Sequence, residues 1–105
     1  QRALADIDSA IRQTNNNAIL LYNRGCMLYD TNELDKAIDA FTQAIETDNK
    51  VAQAYYNRAI TYMKQGKPQQ ALSDFSKAGE LGLSQAYNLI RQAAKEIQKQ
   101  QGEKK

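Results

Sequence analysis

The side chains with chemistry to offer are few. Cys26 is the one cysteine, and there is no histidine. A thiol–imidazole pair therefore cannot form, and the commonest metal ligand and neutral-pH proton carrier is missing. A lone thiol of this kind reads as a small hydrophobe. With no second cysteine it makes no internal disulfide and says nothing of redox compartment. Asp6 and Asp8 near the start, and Asp74 later, have the spacing of solvated helix faces rather than of a buried acid–base pair. Gly79 and Gly82 lack the Lys-Ser/Thr context of a phosphate loop. No catalytic residue, cofactor or metal is expected. What remains is recognition chemistry. Tyr22-Asn23-Arg24 recurs as Tyr56-Asn57-Arg58, and each pair joins an aromatic surface with a hydroxyl to an amide that both donates and accepts.

That recurrence is one part of a longer one, and it identifies the elements that must position these residues. Shifting the chain by 34 residues lays 18–51 on 52–85 with eight identities: Ala18/Ala52, Tyr22/Tyr56, Asn23/Asn57, Arg24/Arg58, Ala37/Ala71, Phe41/Phe75, Ala44/Ala78 and Glu46/Glu80. Composition alone would give roughly two. The same shift carries Ala3, Ala10, Ile11 and Asn15 onto Ala37, Ala44, Ile45 and Asn49, and Ile7 onto Phe41. Residues 1–17 thus read as the second half of an earlier unit, followed by complete units at 18–51 and 52–85.

Within each unit the apolar residues follow the helical period: Leu21, Met27 and Leu28, then Ala37, Ile38, Phe41, Ala44 and Ile45. Asn32 and Gly66 stand where a helix must end in the left-handed conformation. Pro68 falls at a first helical position, where its missing N–H is harmless. Asn15 to Asn17 and Asp48-Asn49 mark turns between units. The pattern predicts an all-α chain of six helices at 1–13, 18–31, 34–47, 52–65, 68–80 and 84–100. Short connections make neighbouring helices antiparallel. Ser84 is the expected N-cap of the last helix, and 101–105 a disordered tail.

A 34-residue pair of helices with Leu21-x2-Arg24-Gly25-x2-Leu28 and Ala37-x3-Phe41, repeated as Tyr55-x2-Arg58-Ala59-x2-Tyr62 and Ala71-x3-Phe75, resembles the tetratricopeptide repeat. The small residues let helices approach closely, and the phenylalanines fill the gap between units. Arg24 and Arg58 stand where the family usually has Leu. Asn49 and Leu83 replace its terminal Pro, and Leu21 and Tyr55 its Trp. The resemblance implies a single domain over 1–100, wound as a right-handed superhelix. Residues 84–100 then form the solvating last helix, with Ala86, Ile90, Ala93, Ala94 and Ile97 inward. That closing segment is similar to those of bacterial members, Bacteroides-type ones in particular.

The resemblance also implies a function, that of a scaffold or adaptor holding a peptide or partner helix in the concave groove. The matching groove positions are Tyr22, Asn23, Cys26, Tyr29, Tyr56, Asn57, Ile60, Met63, Lys64, Tyr87 and Arg91, with Ile19, Asp30, Gln53, Ile90 and Ala94 beside them. Tyr22 and Tyr56 have a plainer reading as packing between first helices. One subclass of the family grips acidic chaperone tails with a clamp of Lys, Arg and Asn. Asn57 and Arg91 match that clamp, but Tyr22 and Cys26 stand where it needs Lys and Asn, which argues against it.

Charge and composition close off other classes. A net charge of +2 with interleaved acids and bases gives no basic stripe for nucleic acid. Lys95, Lys99, Lys104 and Lys105 read as a solvated chain end. No run approaches the ~18 apolar residues of a membrane span. No signal peptide is recognisable; the chain opens at Gln1 rather than Met, and whether the native chain is longer at its N-terminus stays open. Cytoplasmic and periplasmic settings both stay open. The alternative function is structural: Leu4, Ile7 and Ile11 of helix 1–13 lack a preceding partner helix, and self-association through them would make a homo-oligomer.

Overall fold

A computed structural model describes residues 17–103. The expected helix 1–13, with Leu4, Ile7 and Ile11, lies outside the described residues. Five helices follow one another: α1 at 17–30, α2 (Leu34–Thr47), α3 (Ala52–Lys64), α4 (Pro68–Glu80) and α5 (Gln85–Glu103). Among the described residues there is no strand. α2 packs on α3, α3 on α4 and α4 on α5, so the chain builds an all-α stack whose contacts join near neighbours in sequence.

The helix ends have local causes. Asn32 adopts φ 65° and Gly66 φ 76°, at equivalent points of the two units. In each case the flanking backbone folds back. Glu33 N–H donates to the Leu28 carbonyl at 2.8 Å and Asn32 N–H to Tyr29 at 2.9 Å. Lys67 and Gly66 do the same to Tyr62 and Met63 at 2.9 and 3.0 Å. These paired bonds satisfy carbonyls that a helix end leaves open. Gly82, at φ 108°, ends α4 in the same way. α2 ends differently: Asp48 is extended and its carboxylate accepts from Lys50 N–H at 3.0 Å, a side chain standing in for a left-handed residue. Pro68 opens α4 as its first residue. Ser84 directly precedes α5 and its carbonyl accepts from Tyr87 N–H.

Small residues bring the helices together around two aromatic plugs. Ala18, Ala37, Ala44, Ala59, Ala71, Ala78, Ala86 and Ala93 are fully buried, as are Phe41 and Phe75. A Cβ added at Gly25 would lie 2.5 Å from the Phe41 ring, so the glycine is the seat of that ring. Tyr22 packs on Phe41 with centroids 5.9 Å apart, and Tyr56 on Phe75 at 5.7 Å, edge to face. Both separations fall in the favourable range for aromatic pairs.

Two expectations need correction. The last helix runs through Glu103 rather than stopping at 100: nothing between Gln98 and Gln101 breaks a helix, so the ladder continues to Gly102 and Glu103. Asp74 is not on a solvated face. It is 6% exposed on α4, held there by Arg58 of α3, which donates from Nε at 2.7 Å and Nη2 at 2.8 Å to its two carboxylate oxygens. The paired, charge-assisted geometry offsets the cost of burying the acid.

Candidate peptide-binding groove

α1 and α3 carry the equivalent stretches of the two units. Their facing sides hold Tyr22, Cys26 and Tyr29 on α1, at helical spacing, and Asn57 and Lys64 on α3. The seam closes with a small polar network. Asn57 Nδ2 donates to the Tyr22 hydroxyl at 2.7 Å and lies 3.7 Å from Cys26 Sγ. Burial pushes the Tyr22 hydroxyl above its ordinary pKa, and the adjacent Cys26 adds to this; the bond donated by Asn57 acts the other way. The hydroxyl is therefore neutral and can itself donate. Two turns on, Lys64 Nζ stands 4.8 Å from the Tyr29 ring centroid, a cation–π contact across the same seam.

Between α3 and α5 the surface is apolar. Ile60, Met63, Phe75, Leu89 and Gln92 line a hollow of about 150 Å³. At the opposite end, Ile19, Tyr22, Asn23 and Gln53 border an open depression of about 490 Å³ with the α2–α3 turn. Ile19 is 43% exposed there.

The expected site residues thus fall into groups. Tyr22, Cys26 and Asn57 come together, Tyr29 meets Lys64, and Ile60 and Met63 line the hollow toward α5. Tyr56 is half-buried against Phe75, so its ring serves packing first. Asn23 and Arg91 are exposed. Tyr87 lies apart: its ring covers Gly79 of α4, where an added Cβ would sit 2.6 Å from it.

A second polar cluster went unread in the sequence. Arg58 adds to its Asp74 pair a bond from Nη1 to Thr42 Oγ1 of α2 at 3.0 Å, and its guanidinium sits over the Tyr55 and Tyr62 rings. The bond to Asp74 holds the Arg58 pKa above its ordinary value against the opposing effect of burial. One side chain thereby ties α2, α3 and α4 together. The available trace was a pair of arginines, Arg24 and Arg58, at a position expected to hold Leu. Among the described residues no three His, Cys, Asp or Glu side chains gather as metal ligands, and no described helix is long and apolar enough to cross a membrane.

Comparison with known proteins places these features in a family. Residues 25–66 match a TPR repeat model and 52–82 a tetratricopeptide repeat model. Tetratricopeptide repeat protein 36 of Caenorhabditis elegans is 41% identical over 61 residues, which is 58% of this chain and 34% of that protein. Human DnaJ homolog subfamily C member 7 is 31% identical over 84 residues, 79% of this chain and 17% of that protein. The chain therefore spans 34% and 17% of the length of these relatives. Among solved structures, the first TPR domain of Spaghetti (RPAP3) bound to the HSP90 peptide SRMEEVD aligns with a TM-score of 0.75 and 29% identity, covering 81% of this chain and 71% of that one. The second TPR domain of human RPAP3, in complex with an HSP70 peptide, aligns with a TM-score of 0.77 and 27% identity, covering 82% and 73%.

Proposed function

The chain belongs to the tetratricopeptide-repeat family, and from that premise we propose that it is a protein-interaction adaptor holding a peptide or partner helix along the α1–α3 seam. The observation that carries this reading is the seam itself. Half-exposed Tyr22, Cys26 and Asn57 meet across two helices, Lys64 closes on Tyr29, and Ile60 and Met63 carry the surface of α3 on toward α5. Tyr and Met give contact area that adapts at small entropic cost, and the Tyr22 hydroxyl and Asn57 amide supply groups to orient a peptide backbone. That RPAP3 domains of similar fold are solved with chaperone peptides supports peptide binding as a use of this shape.

The ligand chemistry differs from that of an acidic tail gripped by cations. Asn57 spends its amide on Tyr22 and Cys26, and these two occupy positions where a carboxylate clamp has Lys and Asn. Recognition here rests on aromatic and aliphatic contacts, with Lys64 and Arg91 as flanking charges. A peptide-display selection against the domain tests the proposal, with a Tyr29→Ala, Lys64→Glu variant of unchanged helicity as counter-selection. An enriched consensus that binds the parent and loses at least about tenfold on the variant supports the groove. Enrichment that is indifferent to both substitutions places the working surface elsewhere.

A further inference from the structure

The last helix stands two residues out of the repeat. A shift of 32 rather than 34 lays Gln85-Ala86-Tyr87 on Gln53-Ala54-Tyr55. It also carries Ala93 onto Thr61, and Ala54, Thr61, Ala86 and Ala93 are all fully buried. In this register Leu89 of α5 takes the place of Asn57 of α3, and Glu96 that of Lys64. Across from them, Ile60 and Met63 of α3 stand where α1 has Cys26 and Tyr29. The seam between α1 and α3 is filled from within: Asn57 donates to Tyr22, and the Lys64 ammonium lies on the Tyr29 ring. The seam between α3 and α5 is not. Leu89 has no amide to donate, and Glu96 brings a carboxylate where its counterpart brings a cation. Ile60, Met63, Phe75, Leu89 and Gln92 are left around the hollow of about 150 Å³. A wider hollow of about 520 Å³ adjoins it, sharing Met63 and Gln92 and lined further by Lys95, Glu96 and Gln100. Gln100 Nε2 donates to the Gly66 carbonyl at 3.1 Å and ties α5 to the end of α3 there. Glu96 is exposed and joins no ion pair among the described residues.

We propose that this compartment takes one basic side chain of the bound peptide, a lysine or arginine whose apolar stem fills the Ile60–Met63–Leu89 hollow and whose cation ends on Glu96. The inference rests on the adaptor reading above and adds to it the chemistry of the partner. An uncharged, largely aliphatic hollow beside an unpaired carboxylate suits a side chain that is apolar along its length and cationic at its tip. The partner thereby supplies from outside the kind of contact that Lys64 makes on Tyr29 within the chain. Lys95 does not cancel the carboxylate, because adjacent residues of a helix do not face each other. Met63 adapts its shape to the stem of either base.

Peptide display on the full chain tests this with two libraries, one containing Lys and Arg and one lacking both. The first is expected to yield a consensus with a fixed Lys or Arg, and the second to yield none of comparable affinity. Replacing that base by Glu in the selected peptide weakens binding to the parent at least about tenfold, and the same peptide recovers on Glu96→Lys, where the charges are again opposite. Glu80→Gln, which removes an acid from α4, leaves binding unchanged. A consensus that is lost on the Tyr29→Ala, Lys64→Glu variant but carries no base, or ignores Glu96→Lys, overturns this inference and leaves the groove standing. Enrichment from neither library overturns both.

Discussion

Replacing Asp74 with Ala strands Arg58. The side chains of the pair are 18% and 8% exposed, and the guanidinium loses two of its three bonds while remaining over Tyr55 and Tyr62 and bonded to Thr42. Breaking a buried pair by removing one partner costs about 3–5 kcal/mol. The residual access of Arg58 to water places this one near the lower end, about 3 kcal/mol. Urea unfolding followed by helical circular dichroism reads it directly. At a slope of about 1.5 kcal/mol/M, the midpoint falls by roughly 2 M, a large fraction of the stability of so small a stack. Arg58→Leu with Asp74→Ala removes both charges and is expected within about 1 kcal/mol of the parent, because the position then carries the apolar residue usual for the family. The cycle built from these variants isolates the coupling. An Asp74→Ala cost below about 1 kcal/mol, the range of exposed ion pairs, would refute the claim that this bridge pins α2, α3 and α4 together.

The remaining expectations concern packing and titration. Gly25→Ala sets a Cβ 2.5 Å from the Phe41 ring, which is fully buried and cannot retreat; a loss of about 1–3 kcal/mol is expected by thermal or urea unfolding. Gly79→Ala makes an equally close contact with Tyr87, but that side chain is 54% exposed and free to swing away. The gain in helix propensity then leaves stability within about 1 kcal/mol of the parent, so equal losses at the two glycines would contradict the assignment of their neighbours. Phe41→Ala or Phe75→Ala costs about 3–5 kcal/mol, and unfolding curves unchanged by either would show the repeat register to be misplaced. Above pH 10 the unfolded chain gives up the Tyr22 proton while the folded chain, whose hydroxyl is raised above 10.0 by burial and by Cys26, keeps it. Its stabilising contribution is therefore full below pH 10 and is lost as pH rises through the folded value. Tyr22→Phe should flatten that alkaline decline; a decline of unchanged slope would show that another group causes it.

Much of the fold was legible because it is periodic. The bounds 34–47 and 68–80 coincide with α2 and α4, since Pro68 and the small-residue register constrain them locally. Asn32 and Gly66 marked left-handed turns because few residues tolerate that conformation. The site was legible only as far as the register carried it. Tyr22, Cys26 and Asn57 do meet, whereas the Tyr87 ring goes to Gly79 of α4 because only a glycine leaves space for it there. The burial of Asp74 was hidden for a different reason: it depends on a partner sixteen residues away on another helix, and hydrophobic periodicity says nothing of which charges pair between helices.

The most direct test of the groove is a titration of isotope-labelled domain with a peptide selected on it, following backbone amide shifts. The largest shifts are expected to cluster at Tyr22, Cys26, Tyr29, Asn57, Ile60 and Lys64, while Leu20, Arg24 and Met27 move little. Shifts concentrated on Leu20, Arg24 and Met27, with the α1–α3 seam undisturbed, would contradict it.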